Sequence, residues 1–238
     1  MKCVLIYSGG MDSTVLLHAL VKEFKSSNII AVSFDYKSKH NTNEFKSAKY
    51  FCKKLKVKHL IVDISEISKY LKSDLLKNGG DIPEGHYEEK TMIKTVVPFR
   101  NGIMLSIACG IAESNGFNFV AIGNHAGDHA VYPDCRETFI ESMNEAMAYG
   151  TYNGINIISP FKSKTKANIV EAGKVLGVEF DKTYSCYRGQ KVQCGRCSTC
   201  FERREAFLLA SVRDKTVYKD KTPIKKLIKE YSKNLDKK

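Results

Sequence analysis

The sequence predicts an α/β fold built on a doubly wound, mostly parallel sheet of five strands. Short apolar runs at residues 3–6, 28–34, 59–63, 117–123 and 155–158 alternate with amphipathic stretches of helical spacing. That alternation argues a sheet with helices on both faces. The first run passes through two glycines straight into a helical pattern, as a strand–loop–helix unit would.

Taken in order, the first run ends in Tyr7-Ser8-Gly9-Gly10-Met11-Asp12-Ser13, and Val15, Leu16, Leu17, Leu20 and Val21 continue it as a helix. Such a turn aims backbone N–H groups and a positive helix end at one point, and glycine lets the chain approach an anion. It is expected to bind phosphate. The second strand ends at Asp35-Tyr36, after which Asn41 and Thr42 are expected to cap a helix to about Leu55, with Phe45, Ala48, Phe51 and Cys52 inward. Residues 59–63 form the third strand. Residues 73–94, with Asn78-Gly79-Gly80, Pro83 and many charges, are expected to form a long surface loop, a lid over the ligand.

A helix then runs to about Ser114 and closes at Gly116, and the fourth strand spans 117–123. An irregular loop over 124–136 precedes a helix from Glu137 to Ala148. The fifth strand stops before Pro160, and a helix over 164–176 ends at Gly177. From Lys215 the tail is lysine-rich, with weak amphipathic character at Ile224, Leu227, Ile228 and Tyr231. Residues 1–180 are expected to form the α/β domain, and 181–238 a cysteine knuckle with a helical, basic tail packed on it. In open sheets of this kind ligands sit outside the carboxyl ends of the strands. The glycine loop, Asp35-Tyr36 and the 123–136 loop therefore converge on one edge.

The 238 residues carry a net charge of +12, but only seven of the 38 basic residues are arginine and the lysines are scattered. A solubilising excess explains this better than a nucleic-acid surface, so no obligatory nucleic acid is expected. Six arginines (Arg100, Arg136, Arg188, Arg196, Arg203 and Arg204) lie in or beside candidate motifs, where a planar fork suits carboxylate or phosphate. No run approaches the roughly 18 apolar residues of a membrane span, and the start lacks the order of a signal peptide. No membrane partner and a cytoplasmic location are expected.

Cys186, Cys194, Cys197 and Cys200 place four thiolates within fifteen residues. Two-residue spacings let consecutive sulfurs face one ion, and four sulfurs leave no open position, so one structural Zn²⁺ is expected. An iron–sulfur cluster accepts the same donors. Cys3, Cys52 and Cys109 sit on apolar faces as small core residues. His125 and His129 are read as loop polar residues.

Ser-Gly-Gly-x-Asp-Ser resembles the pyrophosphate loop of the N-type ATP pyrophosphatases, whose fold is adenine nucleotide alpha hydrolase-like. Four further segments follow in order: 33–36, 97–101 (Val-Pro-Phe-Arg-Asn), 132–136 (Tyr-Pro-Asp-Cys-Arg) and 185–189 (Ser-Cys-Tyr-Arg-Gly). With them the chain resembles the 7-cyano-7-deazaguanine synthase family, known as QueC, over about residues 3 to 207. It departs from the family pattern at Lys37-Ser38, where Gly-Gln is common, and at Ala130-Val131, where Ser-Gly is common.

The resemblance implies an ATP-dependent ligase converting 7-carboxy-7-deazaguanine and ammonia to 7-cyano-7-deazaguanine, with Mg²⁺, one zinc per chain and a homodimer. It implies nucleotide binding by Tyr7, Ser8, Gly9, Gly10, Met11, Asp12, Ser13, Thr14, Ser33 and Asp35. Catalytic roles fall to Asp12, Ser13, Arg100 and Arg136, and substrate contacts to Arg100, Asn101, Asp128, Tyr132, Asp134 and Arg136. A pyrophosphatase acting on tRNA or protein, and a non-enzymatic zinc module binding nucleic acid, are the alternatives.

Overall fold

A computed structural model describes residues 1–235. Five parallel strands, β1 (Cys3–Ile6), β2 (Ile29–Asp35), β3 (Lys58–Asp63), β4 (Phe119–Ala121) and β5 (Asn156–Ile158), form one sheet in the order β3-β2-β1-β4-β5. The sequence-predicted runs all become strands, although β4 is only three residues long. Side-chain alternation splits β1 between the two faces. Val4 packs with Ile30, Leu105 and Ala108, whereas Cys3 and Leu5 pack with Leu16, Leu17, Phe51 and Ile169. Fully burying a leucine, as with Leu105 on the first face and Leu5 on the second, contributes about 2 kcal/mol, so each face is a core in its own right.

Helices α1 (Met11–Glu23), α2 (Asn41–Leu55) and α5 (Lys166–Val175) contribute to the second face, and α3 (Arg100–Ser114) and α4 (Glu137–Gly150) to the first. The bounds of α2 match expectation but its cap does not. Asn41 is the first helical residue, and its amide donates to the Phe34 carbonyl at 3.1 Å and to Asp35 Oδ1 at 3.1 Å. The side chain is thereby pinned to the end of β2 and cannot cap. Lys37, where the family pattern has glycine, sits at φ 59°, and its N–H donates to Asp35 Oδ1 at 2.9 Å. A lysine there costs about 1 kcal/mol that a glycine would not.

The stretch Lys90–Ser114 is long and apolar enough for a membrane span, contrary to the sequence reading. Yet it is two pieces, a 3-10 turn (Lys90–Thr95) and α3, separated by Phe99 at φ 52°. Met104, Leu105, Ala108 and Ala112 of α3 are buried in the first-face core, which accounts for its apolarity. Residues 73–94 are not a free loop either. Leu75, Leu76 and Ile82 are buried, and bridges join Ser38 to Leu76 and Glu84 to Cys197.

The tail is more ordered than its weak pattern suggests. In α7 (Ile224–Leu235), Leu227 and Tyr231 are buried on Phe201 of α6 (Ser198–Leu209), with Ile224 and Ile228 beside them. These four positions follow the i, i+3, i+4, i+7 rule of one helical face. Arg196 ties the assembly together by reaching Glu84 at 3.0 Å, Asp220 at 3.2 Å and Glu230 at 2.5 Å.

Candidate active site

The strand order reverses between β1 and β4, and a cleft of about 220 Å³ opens beyond their carboxyl ends. Gly10 caps α1 without any side-chain hydrogen bond, so the orphan N–H groups of the first turn are left for a ligand. Ser8 Oγ accepts from the Gly10 N–H at 3.0 Å and lies 3.0 Å from Ser13 Oγ, which fixes the loop's shape. Gly9 does a different job. At φ 84°, a Cβ there would lie 2.4 Å from the Glu44 carbonyl oxygen and 2.7 Å from Ala48 N, so the glycine lets the loop lie on the backbone of α2.

On this flank the charges are matched. Thr165 caps α5, placing Lys166 in its first turn, where Lys166 Nζ is 2.6 Å from Glu202 Oε2 and 3.4 Å from Asp12 Oδ2. Burial lowers the Lys166 pKa, but the carboxylates of Asp12, Glu202 and Asp128 outweigh it and hold the ammonium well above its ordinary range. Asp12 Oδ1 is buried with no hydrogen-bond partner. Such an atom fits one ligand of a divalent cation beside a polyphosphate. His125 is buried rather than a loosely held loop residue. Its ring accepts from the Gly127 N–H at 3.1 Å, while Asp128 Oδ2 accepts from the His125 N–H at 3.1 Å.

The opposite flank is aromatic. Arg100 Nη1 donates to Tyr36 OH at 3.3 Å, Tyr36 OH lies 3.3 Å from His40 Nε2, and His40 Nε2 lies 3.6 Å from Glu44 Oε2. The Tyr132 and Tyr187 hydroxyls are 3.2 Å apart, and the His40 and Tyr187 rings are 5.2 Å apart at 33°. Burial, with the nearby Arg100 charge adding to it, pushes His40 down to about 3. Burial also raises Glu44 to about 8, against the opposing pull of Arg100. At neutral pH His40 is therefore uncharged and Glu44 holds much of its proton.

Of the residues singled out from sequence, Tyr7, Ser8, Gly10, Met11, Asp12, Ser13, Arg100, Asn101, Asp128 and Tyr132 line the cleft. Six others do not. Gly9 faces α2, Thr14 meets Tyr7 OH at 3.1 Å, and Ser33 donates to the Tyr7 carbonyl at 2.6 Å. Asp35 is occupied by Lys37 N and Asn41. Asp134 is buried and accepts from the Asn101 N–H at 2.8 Å, which ties it to the first turn of α3. Arg136 is exposed, with Nε 3.3 Å from the His129 carbonyl. Arg100 is alone among the six motif arginines in lining the cleft. Lys166, Glu202, Glu44, His40 and Tyr187 line it too, without having been foreseen.

Behind this wall, Cys186, Cys194, Cys197 and Cys200 are all buried with sulfurs within 4.8 Å of one another. Cys194 Sγ and Cys200 Sγ are 3.8 Å apart, close to the ~3.8 Å edge expected of a tetrahedron with Zn–S bonds of about 2.3 Å. The Arg196 and Cys197 N–H groups donate to Cys194 Sγ at 3.4 and 3.2 Å, as befits a thiolate. The four-cysteine cluster fits a metal ion.

Residues 2–211 match the family model described as Queuosine biosynthesis protein QueC. The chain belongs to the QueC family. A relative from Porphyromonas gingivalis strain W83, named 7-cyano-7-deazaguanine synthase, is 49% identical over 90% of this chain and 96% of its own length. One of the same name from Desulfotalea psychrophila is 44% identical over 90% and 97%. Among solved structures, the U34-tRNA thiolase NcsA from Methanococcus maripaludis, with its [4Fe-4S] cluster, is 18% identical with a TM-score of 0.49, over 100% of this chain and 72% of that one. As a QueC member the chain is an enzyme of deazaguanine synthesis.

Proposed function

We propose that the protein is an ATP-dependent carbon–nitrogen ligase that makes 7-cyano-7-deazaguanine from 7-carboxy-7-deazaguanine and ammonia. The observation that carries this reading is the near-full-length similarity to relatives bearing that enzyme's name. A carboxylate is a poor electrophile, so one oxygen must first become a leaving group at the expense of ATP. The uncapped N–H groups of α1, with Ser8 and Ser13, are suited to receive the departing pyrophosphate, and Lys166 supplies a fixed positive charge beside it. Mg²⁺ held by Asp12 would supply charge neutralisation at the phosphates. Arg100 is the fork free to hold the acid, since no carboxylate lies within ion-pair distance of it among the described residues. Ammonia then displaces the activated oxygen to give the amide. A second activation of the amide oxygen, with loss of the N–H protons, leaves the nitrile.

In this reading the four cysteines hold one structural Zn²⁺ and keep Ser185 and Tyr187 in the cleft wall. The chain works as a homodimer in a reducing cytoplasm. Incubation with 7-carboxy-7-deazaguanine, ammonium, Mg²⁺ and ATP, followed by mass spectrometry, tests it. The expected product is the nitrile, preceded by the amide. A purified, folded protein that leaves ATP untouched under these conditions overturns the reading.

A further inference from the structure

Four carboxyl groups line the cleft, belonging to Asp12, Glu44, Asp128 and Glu202. Three have work to do within the chain. Asp12 and Glu202 share the Lys166 ammonium, and Asp128 accepts from the His125 backbone N–H. Glu44 differs. Its carboxyl makes no hydrogen bond among the described residues, and His40 Nε2 lies 3.6 Å from its Oε2. A carboxyl with 16% of its side chain exposed, inside a cleft and without a donor, is incomplete as it stands.

Its surroundings narrow what completes it. Arg100, on the same flank and linked to it through Tyr36 and His40, offers a fork for an anion, and the Tyr187 ring beside His40 offers an aromatic face in the same wall. A flat heterocycle with an acid group at one end and adjacent N–H donors at the other would satisfy both ends. Two parallel N–H groups on one edge, a ring N–H beside an exocyclic amine, are the pattern that a carboxylate accepts in bidentate fashion.

We propose that Glu44 is the specificity residue of the acceptor site, its carboxylate accepting from the ring N–H and 2-amino group of a guanine-type base. This rests on the function proposed above and assigns its base-reading group. Asp128 and Asp134, the carboxylates that the sequence pattern favoured for this role, are displaced from it, since Asp134 lies outside the cleft and Asp128 is engaged in its own loop. Burial raises Glu44 to about 8, so two N–H donors arriving at it favour the ionised carboxylate and displace its proton.

The test measures, by calorimetric titration, the binding of 7-carboxy-7-deazaguanine and of its 2-desamino counterpart to the wild type, Glu44→Gln and Glu44→Asp. The wild type is expected to favour the 2-amino compound by about 10- to 100-fold. Glu44→Gln, which replaces one acceptor oxygen by a donor, should lose most of that preference by weakening the 2-amino compound more than its counterpart, and Glu44→Asp should recover part of it. A wild-type ratio in Glu44→Gln overturns the assignment, while turnover by the unaltered protein would leave the ligase reading standing. A wild type that binds neither compound overturns both.

Discussion

The cysteine cluster and the cleft lie side by side, joined by Tyr187 and Ser185, yet they are built on opposite plans. The four sulfurs are buried and come from fifteen consecutive positions, and those of Cys186 and Cys194 receive backbone N–H donors. Nothing there is left open. The cleft is assembled from the ends of β1, β2 and β4 and from helices α1, α2, α3, α5 and α6, and it keeps unpaired groups such as Asp12 Oδ1 and His40 Nδ1. A closed site contributes stability, whereas an open one costs stability and contributes binding. Perturbing the two should therefore separate folding from activity.

The widest separation is expected from Cys194→Ser. Losing one of four thiolates releases the metal and removes at least about 4 kcal/mol of stability. For a chain of this size that lowers Tm by roughly 10 °C, readable by melting together with metal content. A variant that keeps both its metal and its Tm would show the cluster to be dispensable.

Asp12→Ala should invert the pattern. Lys166 keeps Glu202 at 2.6 Å, so the fold survives, while turnover falls by about 100-fold or more through loss of the group facing the phosphates. Product formation and melting, measured on one preparation, check both halves. Equal losses in the two would mean that Asp12 is merely structural.

These two sites were also unequally legible in the sequence. Four cysteines and a Gly-Gly turn are local signals, because spacing alone brings their groups together. Glu44, Lys166 and Glu202 carry no such mark. Each lies on a helix whose pattern reads as a solvated face, and Lys166 is one of many lysines; only the packing of α2, α5 and α6 turns them toward one point. Arg136 and Asp134, expected in the site, do not line the cleft, since a motif places residues near a site without deciding which side chain enters it. The strand order was within reach of the βα rhythm, but the solid packing of 73–94 was not, since Leu75, Leu76 and Ile82 are too few and too irregular to show a period.

The charge state of the aromatic flank gives a smaller effect. Glu44 is raised from an ordinary 4.5 to about 8, so the folded chain binds more protons than the unfolded one between those values. Its contribution to stability is full below 4.5 and is lost as pH rises through 8. His40, lowered to about 3, acts in the opposite sense, with stability lost as pH falls from 6.5 toward 3. Between pH 6.5 and 8 Glu44 is the one of the pair that acts, and Glu44→Gln should remove the decline of roughly 2 kcal/mol that it imposes on the wild type across that window. Urea titrations across that window measure it, and identical pH profiles would remove the strain from the cleft.

The smallest effect marks where neither plan applies. Lys162 reaches Glu137 at 2.5 Å and Glu141 at 3.6 Å, but its side chain is 37% exposed and those of its partners 49% and 60%. Water screens such a pair on every side, and holding three long side chains in one arrangement costs entropy that offsets most of the attraction. Lys162→Met should thus leave Tm and turnover indistinguishable from the wild type, although it removes two ion pairs at once. Lys166 makes the contrast, since that lysine also holds two carboxylates, one of them 2.6 Å away. Its side chain is 12% exposed and its Glu202 partner 10%, so truncating it strands buried charge. If Lys162→Met proved as damaging as Lys166→Met, surroundings would count for less than contact distance, and the division between open and closed regions would lose its physical basis.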